Sequence, residues 1–143
     1  DRIANAIGAK KFKNCLIIDF GTATTFDIIK NGTYEGGVIA PGVNLSIKNL
    51  SQGTALLPLI NLKSHQKSYG KNTIEALNAG FIWGYEGLIN NIIDKVISRS
   101  KIKYKILLTG GYANFFKKMI KKKVVIDQHI TIKGIANAYK DLV

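Results

Sequence analysis

The stretch Cys15-Leu16-Ile17-Ile18-Asp19-Phe20-Gly21-Thr22-Ala23-Thr24-Thr25 joins an apolar run to an acid, a glycine and three threonines. The apolar run at 15–20 predicts a central strand that carries Asp19 near its carboxyl end. Gly21 permits a tight turn and lets a phosphate approach the backbone. Thr22 and the threonines after it add hydroxyl and N–H donors, and a hard cation prefers carboxylate and hydroxyl oxygens. Taken alone, the segment fits a threonine-rich hairpin turn equally well.

The segments around this strand predict a mixed α/β domain, because strands and helices alternate along the chain. Residues 2–12 predict a helix, and Asn31-Gly32 is a strong signal for a two-residue hairpin. The other predicted elements are strands at 24–30, 33–39, 104–108 and 124–127, and helices at 43–50, 72–97, 114–121 and 132–142.

The longest helical region, at 72–97, opens on the capping-box-like sequence Asn72-Thr73-Ile74-Glu75. Gly80, Gly84 and Gly87 interrupt it, and glycine costs about 1 kcal/mol inside a helix. These glycines indicate close helix approach, a bend, or two helices in series. The segment at 63–71 before it has no apolar periodicity and predicts a mobile loop.

Composition indicates one globular domain, since the chain has 143 residues of which 46% are hydrophobic. No apolar run is long enough for a membrane span, and residues 1–3 do not resemble the start of a signal peptide. The single cysteine, Cys15, excludes an intramolecular disulfide and a cysteine-rich zinc site, and it fits a reducing cytoplasm. We therefore expect a cytoplasmic protein.

The net charge of +12 raises the possibility of nucleic-acid binding. Nearly all of the cations are lysines, because only Arg2 and Arg99 are arginines, and recognition of phosphates and bases usually favours arginine. The one dense basic run, at 117–123, lies at the end of a predicted helix, where cations suit the helix dipole. We interpret the charge as a solvated surface and expect no nucleic-acid partner.

A second glycine motif, Thr109-Gly110-Gly111, follows the strand predicted at 104–108. Backbone N–H groups at the start of a helix suit anionic or polar ligands, and the glycine pair would let an adenosine ring or ribose lie against the backbone. Alone this motif is also an ordinary strand-to-helix loop. Asp-x-Gly-Thr at the start of a three-stranded meander, followed later by Thr-Gly-Gly, is the layout of the actin, Hsp70 and sugar-kinase superfold.

The chain resembles the type III pantothenate kinases, also called the Bvg accessory factor-like family, in six segments that match in order and spacing. These are DR at 1–2, DFGTATTFD at 19–27, YEGGVIAPG at 34–42, TALLP at 54–58, GKNT at 70–73 and TGG at 109–111. The resemblance implies a ribonuclease H-like, actin-like ATPase domain over residues 1–143, with a mixed sheet and flanking helices. It also implies that an N-terminal phosphate-loop domain, absent from this chain, normally completes the nucleotide cleft.

By the same resemblance, Asp1 is the catalytic general base for the pantothenate hydroxyl, and Asp1, Arg2 and Thr73 bind pantothenate. Without it, Asp1 and Arg2 would be an ordinary helix cap. A carboxylate beside an alcohol can accept its proton during phosphoryl transfer, and arginine can form a fork with a carboxylate.

The resemblance also assigns the nucleotide side of the site. Gly21 and Thr22 match ATP phosphate contacts, and Gly110 and Gly111 match the adenosine-side turn. Asp19 matches the position that holds a monovalent cation, potassium or ammonium, and magnesium would accompany ATP.

The implied function is ATP-dependent phosphorylation of pantothenate to 4′-phosphopantothenate, the first step of coenzyme A synthesis, by a homodimer that packs through the helix after Thr73. We expect this chain to be inactive alone. The alternatives are another small-molecule kinase of the superfold, a non-catalytic regulator with the same fold, and a basic nucleic-acid-binding module.

Several other residues are interpreted as structural. Asp27 is read as a structural or exposed acid, His65 and His129 as surface residues, and Trp83 and Tyr85 as packing or dimer-interface residues.

Overall fold

One mixed sheet organises the chain in the computed structural model, which describes residues 1–64 and 67–143. The elements of the described residues are α1 (Arg2–Gly8), β1 (Cys15–Phe20), β2 (Ala23–Lys30), β3 (Thr33–Pro41), α2 (Val43–Gln52), α3 (Thr73–Ser98), β4 (Lys105–Gly110), α4 (Ala113–Phe116), a 3₁₀ turn (Lys117–Met119), β5 (Val124–Ile126) and α5 (Ile130–Leu142). The strand order across the sheet is β3-β2-β1-β4-β5.

The central position of β1 explains its apolar sequence. β1 pairs antiparallel with β2 and parallel with β4, and β2 continues the antiparallel meander to β3. A strand with neighbours on both edges and helices on both faces must be apolar throughout. Five of its six residues are accordingly buried, the exception being the half-buried Asp19. This confirms the predicted meander and the predicted mixed α/β class.

Alternate residues of the strands face two different helix layers, as the two-residue period of a strand requires. Leu16 and Ile18 face the larger core, to which α2, α3 and α4 contribute. Cys15 and Ile17 face a smaller core that includes Ala9 and Ile130, at α1 and α5 respectively. Asp19 continues the second series and therefore lies on the α1/α5 face of the sheet.

Helix α1 is shorter than the predicted span of 2–12, since it ends at Gly8. The backbone then forms turns, in which the N–H of Lys10 bonds to the carbonyl of Ile7 and that of Phe12 to the carbonyl of Ala9. A side-chain carbon on Gly8 would lie 2.1 Å from the carbonyl oxygen of Ile130. The helix therefore ends where α5 crosses it.

Helix α3 is continuous over 26 residues. Of the alternatives predicted for its glycines, two helices in series is therefore wrong. Asn72 caps it, as predicted, by accepting a 2.9 Å hydrogen bond from the N–H of Glu75. The predicted loop at 63–71 includes residues 65 and 66, which lie outside the described residues.

The helix predicted at 114–121 is also shorter, because α4 ends at Phe116 and a 3₁₀ turn follows. Ile120 then adopts an extended backbone conformation and buries its side chain in the larger core. The burial of that side chain accounts for the early end of the helix.

Candidate functional site

The two predicted glycine motifs meet at one edge of the sheet. In the parallel register of β1 and β4, Asp19 lies beside Thr109 and Phe20 lies beside Gly110. The N–H of Gly111 donates a 3.1 Å hydrogen bond to the carbonyl of Phe20. Crevices at the carboxyl ends of such strands are the usual ligand sites of open α/β sheets.

A pocket of about 530 Å³ opens at this edge. Its lining combines both motifs with the start of α2: Phe20, Gly21, Thr22, Asn44, Leu45, Lys48, Gly111 and Tyr112. Tyr112 and Asn44 close one side of the pocket, because the tyrosine hydroxyl donates a 2.6 Å hydrogen bond to the Oδ1 of Asn44. Lys48 is exposed and brings a positive charge to the same pocket. The pocket thus combines aromatic rings, a lysine and glycine backbone. Such a combination suits a planar ligand that carries phosphate groups.

Gly110 shapes this turn more than it donates to a ligand. Its φ is +91°, and a side-chain carbon there would lie 2.5 Å from the carbonyl oxygen of Phe20. The side chain of Gln128 binds both of its backbone groups, accepting from the N–H at 3.1 Å and donating to the carbonyl at 3.0 Å. The N–H of Gly110 is thus already used. Sequence reasoning missed Gln128, because a lone amide after a short strand has no distinctive pattern.

Asp19 is held by a chain of hydrogen bonds that crosses three elements. The Nδ2 of Asn5, on α1, donates to the Oδ2 of Asp19 at 2.8 Å. The Oγ1 of Thr131, on α5, donates to the Oδ1 of Asn5 at 2.5 Å. Asn5 is completely buried, so both ends of its amide are satisfied by these two contacts. Sequence analysis did not single out Asn5 or Thr131.

The other oxygen of Asp19, Oδ1, accepts no hydrogen bond from the described residues and lies 3.7 Å from the position of a side-chain carbon on Gly21. Within residues 1–64 and 67–143, no three histidine, cysteine or acidic side chains are grouped to hold a metal.

Arg2 forms a second polar cluster beside the first. Its Nε donates to the Oδ1 of Asp27 at 2.7 Å, and its Nη2 donates to the hydroxyl of Tyr34 at 2.5 Å. The Tyr34 hydroxyl in turn donates to the same Asp27 oxygen at 3.0 Å. The hydrogen bond to Asp27 raises the pKa of Arg2 further above its ordinary value. Asp27 is fully buried, which agrees with the structural reading of this acid.

Asp1 and Thr73 differ in their relation to these clusters. Asp1 is exposed, its side chain makes no capping hydrogen bond, and its carbonyl accepts from the N–H of Asn5 at 2.8 Å. α1 therefore brings Asp1 and Arg2 close to Asp19. Thr73 is the exposed first residue of α3. None of the hydrogen bonds found among residues 1–64 and 67–143 joins it to Asp1 or Arg2.

Tyr85 anchors the loop that leads into α2. Its hydroxyl shares one proton between the carbonyls of Pro41 at 3.0 Å and Gly42 at 3.1 Å, and it lies 2.7 Å from the hydroxyl of Ser46. Burial raises the pKa of Tyr85. This confirms a packing role for Tyr85, whereas Trp83 remains 45% exposed on α3.

The two histidines have different outcomes. His129 is exposed, as expected of a surface residue, and its backbone N–H donates to Asp127. His65 lies outside the described residues.

A membrane-spanning helix is not found in the part of the chain that the structure describes.

Comparison with known proteins connects this site to a family. A family model described as type III pantothenate kinase matches residues 1–95. A type III pantothenate kinase from Pelagibacter ubique (strain HTCC1062) is 51% identical over 139 residues, which cover 96% of this chain and 56% of that protein. The corresponding protein of Ruegeria sp. (strain TM1040) is 38% identical and is matched over 98% of this chain and 55% of its own length. The chain thus spans about half the length of the curated relatives it matches.

Solved structures show the same fold at lower identity. A conserved Baf family protein from Campylobacter jejuni superposes with a TM-score of 0.70 at 23% identity, covering 98% of this chain and 64% of that one. The ethanolamine utilization protein EutJ from Carboxydothermus hydrogenoformans gives a TM-score of 0.57 at 19% identity, covering 96% and 53%. These likenesses confirm the actin-like ATPase fold.

Proposed function

The chain belongs to the type III pantothenate kinase family, and we propose that it forms the C-terminal actin-like domain of an enzyme that phosphorylates pantothenate with ATP. The product would be 4′-phosphopantothenate, in the first step of coenzyme A synthesis. The observation that carries this proposal is the meeting of Asp19, Gly21 and Gly111 at the adjoining ends of β1 and β4, beside an open pocket. An N-terminal phosphate-loop domain would supply the other wall of the nucleotide cleft.

Phosphoryl transfer depends mostly on positioning and on neutralising charge, and the site offers both. The backbone around Gly21 and Thr22 lines the pocket together with Gly111, so the phosphates would lie on the first turn and the adenosine on the second. Lys48 lies in the same pocket and would add a positive charge near the phosphates. Magnesium would arrive with ATP, and the free oxygen of Asp19 would hold the potassium or ammonium ion that offsets phosphate charge.

The acceptor side would use the exposed start of α1. Within the described part of the chain the Asp1 carboxylate makes no capping hydrogen bond, so it would accept the proton of the pantothenate primary hydroxyl. Arg2 retains unused N–H donors and would bind the pantothenate carboxylate. Thr73 lies on a different element, so we propose that it reaches the substrate from a second copy packed through α3, in a cytoplasmic homodimer.

ADP release from the full reading frame that carries this chain tests the function. Release should require both pantothenate and potassium, and Asp1→Asn should lower it at least a hundredfold, because the general base loses its charge. Asp141→Asn is the matched control: this carboxylate is 68% exposed on α5 and pairs only loosely, at 3.5 Å, with Lys10. A folded protein that releases no ADP under these conditions would exclude the kinase and favour a regulator with the same fold.

A further inference from the structure

The Asp27 carboxylate is an unusual group to bury in a sheet. It is 0% exposed, and its Oδ2 has no hydrogen-bond partner among the described residues. Burying an ionised carboxylate costs several kcal/mol after relaxation, and replacing such an ion pair by apolar side chains of similar volume is often neutral or stabilising. Stability alone therefore gives a weak reason for an acid here, and its partners indicate another reason.

Two partners from two elements converge on one oxygen of Asp27. Arg2 from α1 and Tyr34 from β3 both donate to the Oδ1 of Asp27 on β2, at 2.7 and 3.0 Å. Arg2 also donates to the Tyr34 hydroxyl at 2.5 Å, and its Cζ lies 5.8 Å from the centre of the Tyr34 ring. The guanidinium is thus fixed by two hydrogen bonds and by the face of an aromatic ring.

Gly37 leaves the space that this arrangement needs. It pairs with Asp27 across β2 and β3, and a side-chain carbon there would lie 2.6 Å from the Nη2 of Arg2 and 3.1 Å from the Oδ1 of Asp27. The same carbon would lie 2.2 Å from the carbonyl oxygen of Phe26, so a larger residue would disturb the strand backbone as well as the guanidinium. Glycine at this position therefore leaves room for both the β2–β3 pairing and the Arg2 side chain.

We propose that Asp27 and Tyr34 are positioning residues that hold Arg2 ready for the carboxylate of the acceptor substrate. Among residues 1–64 and 67–143, only the Nε–H and one N–H of Nη2 of Arg2 are used in hydrogen bonds, which leaves three of the five N–H donors of the guanidinium for a ligand. Arg2 is 35% exposed, which leaves that donor edge accessible. A long side chain loses rotamer freedom when a ligand fixes it. If the protein fixes the side chain beforehand, the loss is incurred on folding and no longer weakens binding.

This inference rests on the proposed function, because it needs Arg2 to bind the pantothenate carboxylate. Its test follows the arginine Nε–H signals in a ¹⁵N spectrum of the full reading frame that carries this chain. An Arg2→Lys variant and an Arg99→Lys variant assign the signals of the two arginines of this chain, and Arg99 serves as the internal reference. In the wild-type protein, we expect a slowly exchanging Nε–H signal from Arg2 that shifts when pantothenate is added while the Arg99 signal stays in place.

Two variants then remove the support without touching Arg2. Asp27→Asn should abolish the slow exchange and raise the pantothenate dissociation constant at least tenfold, and Tyr34→Phe should raise it about threefold to tenfold, by the loss of one hydrogen bond of about 1 kcal/mol. Tyr34 is 40% exposed, so Tyr34→Phe keeps the test available if Asp27→Asn fails to fold. Asp127→Asn is the matched control, since that acid also binds a cation, Lys133, at 2.8 Å, and it should leave the affinity unchanged.

The outcomes separate the two ideas. Wild-type affinity in both folded variants, with the Arg2 signal exchanging fast, would overturn the positioning role and leave the proposed function intact. A wild-type chain whose slowly exchanging Arg2 signal does not respond to saturating pantothenate would overturn the proposed role of Arg2 itself, and the inference with it.

Discussion

Gly134 of α5 lies against the backbone of Ala4 in α1 so closely that a side-chain carbon on the glycine would lie 1.7 Å from the Ala4 carbonyl oxygen. The two helices therefore cross in direct backbone contact, and Gly8 makes the reciprocal approach to α5. Because α1 carries Arg2 and Asn5, this crossing sets the position of both polar clusters relative to the sheet.

Gly134→Ala should consequently affect both stability and the site. The methyl group has no space, and overpacking of this kind typically costs about 1–3 kcal/mol, so urea unfolding should show a free energy of unfolding lower by that amount. Pantothenate affinity should fall as well, because α1 must move away from α5 and takes Arg2 with it.

Asn137→Ala is the control for this substitution, since Asn137 is an exposed residue of the same helix. This change should raise the free energy of unfolding by about 0.5 kcal/mol, because alanine has the higher helix propensity. If Gly134→Ala were as well tolerated as Asn137→Ala, the crossing would not determine the position of α1.

Asp19→Asn should remove the response to potassium. The substitution keeps the shape of the side chain but removes the charge that would attract a cation. We expect ADP release by the full reading frame to fall at least tenfold in potassium and to become similar in potassium and sodium. Asn5→Ala retains the Asp19 charge but removes its 2.8 Å hydrogen bond, so it should weaken the potassium response without abolishing it. Equal potassium activation of Asp19→Asn and the wild type would place the cation elsewhere.

The sequence predicted the sheet well because the responsible signals are local. The apolar run at 15–20 and the hairpin at Asn31-Gly32 specify β1, β2 and β3 by side-chain period and turn geometry, and both recur in the structure. The helix ends were predicted less well, since they depend on distant packing. α1 ends where α5 crosses it at Gly8, and α4 ends early while Ile120 turns into the core.

The supports of the site were the least predictable part. Asp19 and Gly110 belong to motifs whose residue types carry the chemistry, and they lie at adjoining strand ends as expected. Three supporting residues lie far along the chain from the residue that they bind. Asn5 binds Asp19 at a separation of 14 residues, Gln128 binds Gly110 at 18, and Tyr34 binds Arg2 at 32. No spacing rule links residues at such separations, so only the folded arrangement identifies them.

Cys15 should be chemically inert in the folded chain. It is fully buried, and burial raises the pKa of its thiol from 9.0 to about 12. The thiolate is the reactive form. This rise in the pKa of Cys15 leaves about a thousandfold less thiolate at pH 8. Alkylation by iodoacetamide at pH 8 should therefore be at least a hundredfold slower in buffer than in 8 M urea.

The same shift sets a pH dependence of stability. A thiol whose folded pKa lies above its unfolded value contributes stability that is fully present below about pH 9 and is lost as the pH rises toward 12. The wild type should thus lose stability relative to Cys15→Val in that window. Equal alkylation rates in folded and unfolded protein would contradict the burial of this residue.

Helix α3 should mediate dimerisation through one exposed stripe. Ala76, Gly80, Gly84 and Gly87 recur on one side of the helix, all are exposed, and Trp83 beside them is 45% exposed. A side-chain carbon on any of the three glycines would meet no atom of residues 1–64 and 67–143 within 4 Å, so the described structure leaves room along the stripe for a second helix. Small residues allow two helix backbones to approach closely, and the tryptophan would supply apolar area at the rim.

Sedimentation of the wild-type chain should accordingly show a dimer, and Gly84→Lys should shift it to a monomer by placing a charge in the middle of the stripe. The control is Ala136→Lys, which puts the same side chain on an exposed position of α5 and should leave the dimer intact. If Thr73 completes the substrate site of a second copy, the Gly84→Lys monomer should also bind pantothenate at least tenfold more weakly. A wild-type monomer that binds pantothenate with full affinity would show that the site is complete within one chain, and that the exposed glycines serve another purpose.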